Sequence, residues 1–90
     1  MTKAQLIDSM KHELSIAITQ QSVFTLDYQL LSVARHVDNH YSDKAQAVYI
    51  ELLTYIVRLR QHRAGDMHIY AVIESQQNLL KNLDDWKNEN

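Results

Sequence analysis

The side chains of this chain best suited to chemistry are its five histidines, His12, His36, His40, His62 and His68. His36 and His40 stand four residues apart, so on a helix their imidazoles share a face and could chelate a divalent cation. A tight site needs a third ligand. Asp38 and Asp43 are the local candidates, but the helix is expected to end among these residues and no H-E-x-x-H pattern occurs. The favoured reading is a pair of solvent-exposed histidines at a helix end, and no metal is assigned. The same imidazoles could make association pH-sensitive between about pH 5 and 7, where the group takes up its proton.

Arginine offers the second chemistry. Arg58, Arg60 and Arg63 form the one dense positive stretch, and a guanidinium fork can clamp phosphate or carboxylate, so they are a candidate basic patch for binding a partner. Their directions diverge around a helix, however, and Leu59 between them belongs to an apolar stripe. Stabilisation of a helix C-terminus and pairing with Asp66, Asp84 or Asp85 is therefore the favoured reading. Nucleic-acid binding would need a broader basic face with stacking aromatics, whereas the formal charge is −2. Ser9, Ser15, Ser22, Ser32, Ser42 and Ser75 lack a nucleophile-elbow context, and a single glycine cannot build a phosphate-cradling loop. With no cysteine there is no thiolate nucleophile or zinc ribbon. No catalytic constellation emerges: neither an enzyme nor a cofactor is expected.

The elements that must carry these groups follow from composition and period. Ninety residues with 46% hydrophobic and 22% charged side chains make one folded domain. A chain of this size buries only about 60–65% of its unfolded surface, so a second copy could readily extend the core. Absence of proline and near-absence of glycine predict helix almost throughout, with breaks signalled by caps. Thr2 and Gln5 have capping-box spacing, and Leu6, Met10, Leu14, Ala17 and Ile18 follow as an apolar stripe, predicting a helix over 3–19. A polar, β-branched stretch from Thr19 to Thr25 reads as a turn. Leu26, Leu30, Ala34 and Val37 then predict a helix over 24–38. Ser42 as N-cap and Asp43 in the first turn open a third over 43–63, with the stripe Ala45, Val48 or Tyr49, Leu52, Ile56 and Leu59. Basic residues followed by Gly65 close it. Asp66 is the expected cap of a fourth over 67–86, with Ile69, Ile73, Gln76, Leu80 and Leu83 as a heptad-like seam. Within that seam Gln76 could set register by finding a buried partner, and Trp86 is expected to staple the helix end. The fold class is all-α, an antiparallel bundle of three to four helices joined by short turns.

Val48 to Val57 is rich in β-formers but sits in a helical pattern, and helix is favoured. It is then apolar around much of its circumference, with Tyr49, Leu53 and Val57 beside the core stripe. A small bundle has difficulty covering both faces. Tyr49, Leu53, Val57 and, with them, Tyr55 are the expected contributors to a homodimer or partner surface; the alternative is a central helix wrapped by the other three. The longest apolar-rich run is too short and interrupted to span a membrane. No secretory signal is read near the N-terminus, so a cytoplasmic location is expected.

In order along the chain, Leu30-Leu31-Ser32-Val33-Ala34-Arg35, Asp43-Lys44-Ala45, Ile50-Glu51-Leu52-Leu53 and Asp66-Met67-His68-Ile69-Tyr70-Ala71-Val72-Ile73-Glu74 resemble segments of the enterobacterial biofilm-development and two-component-connector family. The family's Leu-Glu pair near the end of its central helix stands here as Leu59-Arg60. The resemblance implies a small helical protein that acts without catalysis, dimerises as at least some members do, and influences biofilm formation, acid resistance and regulatory phosphorelays. Leu52-Leu53-Thr54-Tyr55-Ile56 and Gln77-Asn78-Leu79-Leu80-Lys81-Asn82-Leu83 resemble the last two helices of bacteriocin immunity proteins. That likeness implies the alternative of an immunity or antitoxin-like protein that neutralises a specific toxin. A DNA-binding regulator is the third class. The leading expectation is a non-enzymatic bacterial regulator working through homodimerisation and binding of an unidentified protein.

Overall fold

In the computed structural model, which describes residues 2–19 and 23–89, the chain forms four helices: α1 (Lys3–Ala17), α2 (Phe24–Asn39), α3 (Asp43–Arg63) and α4 (Ile69–Lys87). The caps explain most of the boundaries. Gln5 N donates to Thr2 Oγ1 (3.1 Å) and Thr2 N to Gln5 Oε1 (2.9 Å), closing the capping box at the start of α1. Ala45 N donates to Ser42 Oγ (3.0 Å) at the start of α3. At its end Gly65, at φ +84°, takes the left-handed conformation. There Asp66 N donates to Gln61 O (2.8 Å) and Gly65 N to His62 O (3.0 Å), the paired bonds of a Schellman motif.

Two ends differ from expectation. Helix α1 stops at Ala17 rather than 19, where Thr19 Oγ1 donates to Ile16 O (2.9 Å) and occupies a terminal carbonyl. Asp66 does not cap α4. It belongs to the turn that ends α3, and His68 is the N-cap, its Nδ1 accepting from Tyr70 N (3.2 Å), so α4 begins at Ile69. The expected turn over Thr19–Thr25 falls partly on residues 20–22, outside the described residues. Its last two positions, Phe24 and Thr25, are already helical.

Successive helices pack on one another and α4 returns to α1, closing a four-membered ring about one core. Lys3 at the start of α1 meets the end of α4, donating to Trp86 O (3.0 Å) and Glu89 O (2.9 Å). Arg63 at the end of α3 reaches Ala17 O at the end of α1 (2.6 Å). Neighbours are thus antiparallel and α1 runs parallel to α3 across the ring, giving an up-down-up-down bundle. Both contacts place a cation from another helix on the unsatisfied carbonyls of a helix C-terminus, where the dipole favours positive charge.

The core combines Leu6, Ile7, Met10 and Leu14 of α1 with Leu26 and Val33 of α2, Val48, Leu52, Tyr55, Ile56 and Leu59 of α3, and Val72, Leu79, Leu83 and Trp86 of α4. The stripe predicted for α3 is the one observed. On α4 the buried line is Val72, Ser75, Leu79, Leu83 and Trp86, so the expected seam through Ile69, Ile73, Gln76 and Leu80 lies to one side of it. Buried Ser75 accepts from Arg58 Nη1 (3.1 Å) and lets α3 approach closely. Ile18, expected in the α1 stripe, falls beyond the helix and is exposed.

One buried polar side chain is imperfectly satisfied. Gln29 of α2 donates from Nε2 to Ser9 Oγ (2.8 Å), while its Oε1 has no partner among the described residues. An orphaned buried acceptor costs about 1–3 kcal/mol, and methionine has nearly the same shape without it. Gln29→Met is therefore expected to raise the thermal midpoint, by about 4–8 °C per kcal/mol recovered in a domain of this size. Half-exposed Ser9 keeps access to water. A midpoint unchanged or lowered in calorimetry would show that the amide oxygen is bonded in solution.

Candidate functional site

On α3 the residues of the expected contact surface separate according to the helical period. Leu53 and Val57 are 42% and 45% exposed and Tyr49 is half-buried against the core, whereas Tyr55 is fully buried. Tyr55 is therefore corrected from a surface residue to a core one. It lies three positions after Leu52 and four before Leu59, which turns it inward onto α4. There its hydroxyl donates to Gln76 Oε1 (3.2 Å), the buried partner sought for that amide.

Burial pushes the Tyr55 hydroxyl up to about 12, against a smaller opposing effect of the Arg63 charge. The folded state thus keeps this proton to higher pH than the unfolded chain. The associated stability is complete below about pH 10 and is lost progressively as pH climbs toward 12, by up to about 3 kcal/mol. Denaturant unfolding at pH 9 and pH 11.5 checks this: the natural chain should lose more stability over that interval than Tyr55→Phe, and equal losses would assign the alkaline transition elsewhere.

The arginine cluster does not form a continuous patch. Arg58 turns to α4, bonding Ala71 O (3.3 Å) and Ser75 Oγ. Arg60 pairs with Asp27 of α2, and Arg63 reaches the end of α1. Three cations thus tie α3 to three different helices. The acid that Arg60 meets is Asp27 rather than Asp66, Asp84 or Asp85; Asp84 is bonded by Lys11 (2.6 Å).

The Arg60–Asp27 pair also registers α2 against α3. Farther along, Ala34, Val37 and Asp38 of α2 face Gln46 and Tyr49 of α3 across a shallow hollow of about 330 Å³. Leu31 is one turn beyond Asp27 and one turn before Ala34, so it stands on the outer rim of this seam. Across the seam, Ile50, Leu53 and Val57 form the corresponding rim of α3. Leu31 and Ile50 are 56% and 53% exposed. One side of the bundle, built from α2 and α3, therefore presents an apolar strip bordered by charges of both signs.

Sequence reasoning identified the α3 half of this strip and missed the α2 half. Phe24, Tyr28 and Leu31 are all exposed, and Phe24 and Tyr28 meet edge to face at 5.0 Å. Their spacing of four and three is itself a helical stripe, on the opposite side from Leu26, Leu30 and Val33. That second stripe was the available signal.

His36 and His40 lie on one side of α2 as expected, with ring centroids 6.4 Å apart. Among the described residues no group of three or more His, Cys, Asp or Glu side chains is arranged to hold a metal ion. No helix among the described residues is long and apolar enough to cross a membrane. The class defined by these observations is an all-α four-helix bundle with one uncovered apolar side. Comparison of the chain with known protein families, curated proteins and solved structures finds no match.

Proposed function

We propose that this protein is a non-catalytic cytoplasmic regulator that pairs with a second copy of itself through the outer side of α2 and α3 and acts by binding another protein. The observation that carries the reading is the row Leu31, Ile50, Leu53 and Val57, exposed beside a core that is already closed. Monomers seldom leave clustered side chains of this kind in water unless they bind something.

Two features favour a second copy as the occupant. The strip carries Asp27 and Arg60, side-chain exposures 37% and 54%, so it presents both signs of charge and can complement itself about a twofold axis. A side of a bundle measuring 39 × 20 × 20 Å also offers roughly the 800 Å² per partner that a stable interface buries. Light scattering during gel filtration at high micromolar concentration should give about twice the 10.5 kDa of one chain. A mass of one chain at that concentration would overturn the pairing.

A further inference from the structure

Between the first turns of α1 and the last turns of α2 lies a second hollow of about 310 Å³, lined by Leu6, Ser32, Arg35, His36, Asn39 and His40, with Arg35 one turn beyond Leu31. Its lining is one-sided in chemistry. Arg35 supplies a guanidinium fork, two imidazoles and the Asn39 amide can donate, and among the described residues no carboxylate lines it. We propose that this hollow is a binding site for a small phosphate monoester, with Arg35 as the principal anchor and His36, His40 and Asn39 as supporting donors.

The hollow lies at the C-terminal end of α2, where the dipole opposes an anion, so the attraction must come from side chains. The ring of His36 packs edge-on against Trp86 at 5.8 Å, which holds the imidazole on a rigid apolar wall. The Lys3 ammonium lies 6.0 Å from the centroid of the same indole and adds positive potential to this end of the bundle. Two carboxylates of the bundle have partners of their own, Asp84 with Lys11 and Asp43 with the Tyr41 hydroxyl, which donates to it (3.1 Å). Among the described residues no acidic third ligand joins His36 and His40 as a cation site would need, but an anion asks only for donors. Buried Leu6 provides the one apolar contact, and the volume is at the lower limit of ordinary ligand pockets, so the ligand is small and mostly polar.

Phosphate and its esters share the recognised group, and a titration followed by amide NMR shifts separates them. The full chain is titrated with inorganic phosphate, with glycerol 3-phosphate, and with glycerol as the uncharged control. The expected result is saturable shifts confined to residues 3–7 and 32–40, tighter with glycerol 3-phosphate than with phosphate and absent with glycerol. Saturation by inorganic phosphate with no gain from the ester would replace the monoester with free phosphate as ligand. Arg35→Gln should weaken binding roughly tenfold or more, because a charge-assisted hydrogen bond is lost, and His40→Gln should weaken it by a smaller factor. Both exposed positions leave the core intact, which an unchanged thermal midpoint verifies. Shifts that rise linearly without saturating, that spread over all basic residues, or that persist unchanged in Arg35→Gln would overturn the site. Its failure would leave the α2–α3 pairing untouched, since the two are read by different measurements, amide shifts on adding phosphate and mass by light scattering.

Discussion

Exchanging Leu53 and Val57 together for glutamate is expected to leave a folded four-helix bundle that no longer pairs. Each side chain keeps more than two fifths of its surface in water, so the change removes little intramolecular burial, and surface substitutions of this kind shift stability by about 0.5 kcal/mol either way. In a twofold interface the effect is doubled. Four carboxylates would enter one apolar contact, each losing solvation without an assigned counter-charge. Association should weaken by at least about a hundredfold, the equivalent of roughly 3 kcal/mol. Light scattering reads the mass and circular dichroism the helicity of the same sample. A double variant that unfolds would place these residues in the core, and one that stays paired would move the interface elsewhere.

Trp86→Ala carries the largest expected loss of stability. The indole is 3% exposed at the last turn of α4, packs against His36 and lies beneath the Lys3 ammonium that holds the ends of α1 and α4 together. Truncating a buried tryptophan to alanine costs about 3–5 kcal/mol, a large share of the roughly 5–10 kcal/mol that stabilises a domain of this size. The thermal midpoint should fall by more than about 12 °C at the usual 4–8 °C per kcal/mol. A fall of only a few degrees would mean that α4 frays here and that the tryptophan contributes little to the staple. Because the ring also packs against His36, which lines the α1–α2 hollow, this variant tests stability alone and is unsuited to testing phosphate binding.

The split of roles along α3 shows how much of the candidate surface could be read in advance. Tyr49, Leu53 and Val57 follow one another at steps of four, whereas Tyr55 stands two positions from Leu53 and Val57, and nothing in their types distinguishes the four. The helical period does: it places Tyr55 on the far side of α3 with Leu52 and Leu59, so Tyr55 turns inward to Gln76 and leaves Leu53 and Val57 outside. The arginines behave likewise. Their density in sequence suggested a patch, but a helix distributes consecutive side chains around its axis, so Arg58, Arg60 and Arg63 separate onto three neighbouring helices. The hollow with Arg35, His36 and His40 was half visible: the histidine pair was evident, whereas the Leu6 floor comes from α1, some thirty residues away in the chain.

Local sequence determined what local physics controls. The absence of proline, the capping box at Thr2, the Ser42 cap and the basic turn closed by Gly65 set helix content and most boundaries, because each acts within one or two turns of the chain. The tertiary structure alone decided how each helix is rotated about its axis. On α2 and α4 two adjacent apolar stripes compete, and burial selects Leu26 with Val33 and Val72 with Leu79, since close packing of four helices at once admits one set of facing residues. That rotation leaves Leu31, Leu53 and Val57 in water and brings Arg35 and His36 beside Leu6.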